Sequence, residues 1–259
     1  MISFTSAQLD AWLVALIFPL TRILALIATA PIIGNRQVPV RVKVGLAVIL
    51  TIVIVPTLGE LPQVSVGSAQ GMLILVQQII IGTAMGFTMR MIFTAVEMAG
   101  DLAGMQMGLG FASFFDPVNA SFTPILAQWM GVVASLAFLA MNGHLFMFMG
   151  LAESFRTLPI GQMMPHSAYF DIALWGGNIF AYAVQIALPL LAALLITNIA
   201  LGILTRAAPQ LNLFAVGFPV TLSMGLVILA LTMPYFAPIL DKITHDALDT
   251  MLKINRAVP

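Results

Sequence analysis

GTAMGFTMRMIFTAVEMAGDLAGMQMGLGFASFFDP, residues 82–117, holds the features that decide how this chain folds. Its first two thirds read as one apolar helix that carries only three charges, Arg90, Glu97 and Asp101. Gly82 and Gly86 stand four apart, and so do Gly100 and Gly104. That spacing lines small residues along one helix face, where a second backbone can approach closely. Glu97 and Asp101 share a face of the same helix, and Arg90 lies two turns earlier on nearly the same side. The character then changes. Residues 104–124, GMQMGLGFASFFDPVNASFTP, form a glycine-rich, ring-studded loop with apolar sequence on both sides.

The composition outside this stretch is just as apolar. Of 259 residues 61% are hydrophobic and 8% charged, against about 45–50% and about 25% in a soluble domain. Such a chain cannot cover itself with polar side chains, so lipid, partner proteins or both must do so. The formal net charge is zero, which leaves no field to draw nucleic acid. Without cysteine there is no disulfide and no thiolate metal site. The three histidines are scattered, and no cofactor is expected. Ala28-Thr29-Ala30 resembles a signal cleavage site, but Met1–Asp10 carries no positive side chain and Arg22 interrupts the apolar run. A secretory signal needs a basic start and an unbroken apolar centre, so this segment reads as retained.

The fold class is therefore an all-α, membrane-associated protein of about six broken apolar helical segments. They run from about Leu9 to Ala30, Val44 to Val55, Ser68 past Met91 toward Gly104, Pro124 to Ala152 with a break near Asn142-Gly143, Ile172 to Leu204, and Phe218 to Leu240. The connector RAAPQLNLFAVGFP reads as a hairpin turn bracketed by Pro209 and Pro219, since proline opens or ends helices. In the tail DKITHDALDTMLKINRAVP, Ile243, Ala247, Met251 and Ile254 recur at helical spacing. They predict a short amphipathic helix that docks either on its own chain or on a membrane surface. Arg36, Arg41 and Lys43 cluster between the first two segments. The positive-inside rule puts that loop in the cytoplasm and the N-terminus outside.

A charge at bilayer depth costs about 2.5–3.5 kcal/mol, so it faces a partner or water. Arg22, Arg90, Glu97 and Asp101 are the clear cases. They fit an internal ion-pair stripe that fixes packing, a proton relay in which the paired acids titrate together, or contacts to other subunits. Glu153 and Arg156 fit an exposed pair at a helix end. Arg206, at the end of the fifth segment, suits a helix C-terminus or a neighbouring chain's carboxylate. No catalytic constellation is visible: Ser113 has no His and acid at readable positions, and the glycine-rich loop lacks the lysine of a phosphate loop. The chain does not read as an enzyme.

Three stretches, residues 22–50 (RILALIATAPIIGNRQVPVRVKVGLAVIL), residues 82–117 and residues 187–220 (ALPLLAALLITNIALGILTRAAPQLNLFAVGFPV), together resemble the FliR family. That family is the R subunit of the flagellar type III secretion export gate. The similarity runs almost end to end. It implies a structural, pore-forming subunit needed to export flagellar components across the bacterial inner membrane, at the flagellar basal body. The implied partners are the P and Q gate subunits (FliP, FliQ), an FlhB-type gate subunit, unfolded export substrates and membrane lipid. Residues 1–170 are then a part like the P subunit, and residues 171–259 a helical hairpin like the Q subunit. The resemblance further implies that loop 104–124 plugs the channel, with Met105, Met107, Gly108, Gly110, Phe111, Phe114, Phe115, Asp116 and Pro117 as plug residues. Gly82, Gly86, Arg206 and Pro209 become subunit contacts. The alternative from the residues alone is a small proton-coupled secondary transporter using Glu97 and Asp101. Transporters of that kind often show internal repeats, and none is visible here.

Overall fold

The computed structural model describes residues 6–110, 124–208 and 213–255, and among these every regular element is helical. α1 (Ser6–Thr29) stops just before Pro31, because the residue preceding a proline is pushed out of helical geometry. α2 (Val40–Ile54) follows Pro39 and tightens into a 3-10 turn, Val55–Thr57, at Pro56. α3 (Ala69–Gln106) opens on Ser68, whose Oγ accepts from the Gly71 N–H at 3.0 Å, satisfying one free donor of the first turn. It closes at Gly108, where φ is +84°. α4 (Ile125–Ala140) and α5 (Gly143–Thr157) are the two pieces of the fourth apolar segment. The break falls at Asn142, held left-handed at φ +58°, a conformation Asn tolerates better than most residues. α6 (His166–Ala207) carries Pro189, and α7 (Leu213–Ile254) carries Pro219, Pro234 and Pro238.

Two boundaries differ from the sequence reading. Pro219 lies inside α7 and does not bracket a turn. The amphipathic tail is not a separate helix but the end of α7. Its buried residues Phe236, Leu240, Ile243, Ala247, Met251 and Ile254 form one continuous stripe. A stripe in register on both sides of the charged residues keeps the helix going, and interior prolines are tolerated where surroundings satisfy the freed backbone groups. Five helices are long and apolar enough to cross a membrane, or six if α4 and α5 count as one broken span, among the described residues.

The helices build two compact units, each discontinuous in sequence. The first comprises Met1–Met91, Asn142–Gly176 and Thr244–Pro259; the second comprises Ile92–Met141 and Gly177–Ile243. In the first unit α1 and α3 meet along the Gly82–Gly86 stripe. A β-carbon at Gly82 would run into the Arg22 carbonyl, and one at Gly86 would lie 2.7 Å from the Leu26 carbonyl oxygen. The Trp175 indole N–H donates to the Thr88 carbonyl at 3.1 Å. The end of α7 docks on α5, with Met251 filling the notch at Gly150. Lys253 pairs with Asp171 at 3.1 Å. Docking of the tail on its own chain is thus the arrangement adopted. In the second unit Ala103, Met107, Leu126, Leu190, Leu194 and Leu229 form the core. Phe93 meets Phe138 edge-to-face at 5.4 Å. Gly100 lets α4 approach so closely that a β-carbon there would sit 2.7 Å from Ala127 Cα.

Candidate functional site

The loop predicted as a plug leaves the second unit from a built stem. Ala99, Ala103 and Met107 follow one another at four-residue spacing on α3, and all three are buried. The Met107 N–H continues the helix by donating to the Ala103 carbonyl at 3.0 Å. Its side chain lies in a recess of α7 whose floor is Gly225; a β-carbon there would fall 2.7 Å from Met107 Sδ. The Thr221 hydroxyl reaches the Met107 carbonyl at 3.4 Å. Gly108 follows at positive φ and ends the helix. A side chain there would cost roughly 1–2 kcal/mol of backbone strain, which is why glycine stands at the exit.

Met107, assigned to the plug, is buried in the core of the stem, where it continues the buried stripe of α3. Met105, on the opposite face, is 51% exposed. Gly108 and Gly110 are half-buried. Phe111, Phe114, Phe115, Asp116 and Pro117 lie outside the described residues, as does Pro209. Below the stem a cavity of about 260 Å³ is lined mainly by apolar groups, including Ala99, Ala103, Met130, Leu190 and Phe236. Few polar groups converge on it, so it lacks the equipment of a substrate pocket.

Of the four charges predicted to be buried, Arg22 is enclosed within this chain itself. Its side chain is fully enclosed in the first unit. Nε donates to Gln78 Oε1 at 2.7 Å, one terminal nitrogen to the Ser154 carbonyl at 3.0 Å and hydroxyl at 3.2 Å, and the other to the Leu158 carbonyl at 3.0 Å. The Phe155 ring lies 4.3 Å from the guanidinium carbon. These acceptors are neutral. Ser154 and Leu158 belong to the last turn and C-cap of α5, where unpaired carbonyls carry partial negative charge. Arginine thus serves as the cap of that helix end. Arginine only donates, so Gln78 must turn its oxygen inward, which leaves Gln78 Nε2 without a partner.

Arg90 and Glu97 are exposed and Asp101 is half-buried; their face of α3 points away from the buried stripe. Glu97 lays its side chain across Gly131 of α4, where a β-carbon would come 3.2 Å from Oε1. Gly82 and Gly86, predicted as subunit contacts, are filled by α1 of the same chain, for the steric reason given above. Arg206 is exposed in the last turn of α6. The sequence reading passed over Gln78, Ser154, Thr221 and Gly225. A signal existed for two: Gln77-Gln78 interrupts an apolar run, and Gly225 is an isolated glycine in a helical pattern.

The sequence matches the family model for bacterial export proteins, family 1, over residues 13–247. It is 43% identical to flagellar biosynthetic protein FliR of Escherichia coli K12, covering 100% of this chain and 99% of that protein. It is 41% identical to FliR of Pectobacterium carotovorum, covering 98% and 97%, and 29% identical to FliR of Bacillus subtilis, covering 89% and 90%. With the match spanning nearly every helix described above, the chain belongs to the FliR family of bacterial export proteins.

Proposed function

We propose that this chain is a structural, pore-forming subunit of the flagellar type III export gate, and that loop 104–124 is its plug. In this reading it works in the bacterial inner membrane at the flagellar basal body. Copies of the P and Q subunits and an FlhB-type subunit surround it, and unfolded flagellar components are its cargo. Residues 1–170 act as the part like P and residues 171–259 as the part like Q.

The observation that carries the plug is the stem. A fully buried Met107, seated over Gly225, holds the end of α3, and Gly108 turns the chain out of the helix at positive φ. A plug needs that contrast between a fixed root and adaptable contents. Beyond the root, Phe111, Phe114 and Phe115 supply rings that exclude water from a narrow bore. The transporter alternative requires sheltered acids, and Glu97 is exposed, which favours the structural role.

The test is the triple variant Phe111→Ala, Phe114→Ala, Phe115→Ala within the assembled complex. Burial of each ring is worth roughly 1.5–3 kcal/mol, so loss of three shifts the gate toward leaky states without dismantling the stem. The expected result is normal assembly with increased small-solute leak across the inner membrane. Normal assembly with no added leak places the seal elsewhere.

A further inference from the structure

The basic turn between α1 and α2 has no part in the plug. Arg36, Arg41 and Lys43 put three of the chain's ten lysines and arginines within eight residues, and no acid occurs between Asp10 and Glu60. The turn is well braced. The Gly34 N–H donates to the Ala30 carbonyl at 3.0 Å, Asn35 to Ile32 at 3.2 Å and Val38 to Asn35 at 3.1 Å. Asn35 Oδ1 accepts from the Gln37 N–H at 3.0 Å. Lys43 is used in the bracing: its ammonium donates to the carbonyls of Gly34 and Asn35 at 2.9 and 3.0 Å. Arg36 and Arg41 stay exposed on either side.

Immediately beyond them α2 turns an apolar surface outward. Val44, Ile49, Ile52 and Val53 are all exposed, while only Ala47, Thr51 and Ile54 of α2 are buried. From Val40 to Ile54 the helix is about 22 Å long at 1.5 Å per residue, more than half the roughly 30 Å hydrocarbon core of a bilayer. Two outward guanidinium groups at one end of an apolar rod match the two ends of an anionic phospholipid. Arginine binds phosphate oxygens in a bidentate fork, and the valine and isoleucine face matches acyl chains.

We infer that this turn and α2 form a binding site for an anionic phospholipid, with phosphate on Arg36 and Arg41 and acyl chains along Val44, Ile49, Ile52 and Val53. The site is separate from the plug and stands whether or not loop 104–124 seals a channel. Lys43 shapes the turn and is not a phosphate ligand.

The test uses the complex purified through this chain in mild detergent. Bound lipid is measured by native mass spectrometry and by lipid extraction. Wild-type complex is expected to retain phosphatidylglycerol in preference to phosphatidylcholine after exchange into mixed micelles. Arg36→Gln with Arg41→Gln should lower the retained anionic lipid several-fold, and the Arg36→Lys, Arg41→Lys variant should keep most of it. Equal retention by wild type and the glutamine variant overturns the proposal. So does loss of a protein subunit with lipid content unchanged, which would show that a partner's carboxylate faces the turn. Should the glutamine variant fail to assemble, a photoactivatable phosphatidylglycerol applied to wild-type complex decides. Crosslinks within residues 34–53 support the site, and their absence there sinks it.

Discussion

Arg22 shows how one residue can hold three helices together. It belongs to α1, takes Gln78 of α3 and closes the end of α5. Hydrogen bonds to a charged donor are worth about 1.5–3 kcal/mol each, so Arg22→Ala should destabilise the chain by several times the usual surface change. Arg22→Lys is the sharper experiment. Lysine keeps the charge but lacks the planar fork that reaches several acceptors at once. We expect it to lower the thermal midpoint of the assembled complex almost as much as alanine does. A lysine variant with a wild-type midpoint would show that charge alone matters there. The sequence revealed that Arg22 must be accommodated, since a cation stands in an apolar run. Its acceptors were hidden because two are backbone carbonyls, which no residue type announces. An acid was the natural guess, and Glu97 and Asp101 drew attention for that reason.

Between helices, glycine sets how close two axes come, and what fills the gap decides how a substitution is felt. At Gly82 the obstruction is the backbone carbonyl of Arg22, together with Ala25 Cβ. Backbone cannot swing aside, so Gly82→Ala should cost about 1–3 kcal/mol by overpacking. Ala25→Gly should restore little of it. At Gly150 the nearest atom is Met251 Cε, the far end of a flexible side chain. Gly150→Ala should therefore be much milder. Thermal denaturation of complexes carrying each variant checks the pair, and equal losses would contradict the steric account. Helix positions were readable because proline, glycine and apolar periodicity mark them: the break at Asn142 and the start of α2 after Pro39 both stand in the sequence. The partner of each glycine stripe was not readable, since small-residue spacing says that a backbone comes close and not whose. The length of α7 was misjudged because charges at Asp241 and Lys242 look like a boundary, while the buried stripe continues through them.

Across the whole chain, apolar surface exceeds what its own packing covers. α6 alone exposes Phe170, Leu174, Phe180, Leu188, Ile196 and Ile203, far beyond the scattered apolar residues of a soluble surface. Made without partner subunits, the chain should aggregate or be degraded. Made together with the P and Q subunits of the proposed gate, it should accumulate as one complex. Comparing membrane-extracted yield under the two conditions tests this, and a well-behaved detergent monomer would count against a subunit role. The division into two units also governs the order in which the protein can mature. Residues that close the first unit, beginning at Thr244, leave the ribosome only after Ile243, the last residue of the second unit, has been made. The half that starts the chain is therefore the later of the two to be completed. Through most of translation α5 presents an empty notch at Gly150, waiting for a methionine not yet polymerised.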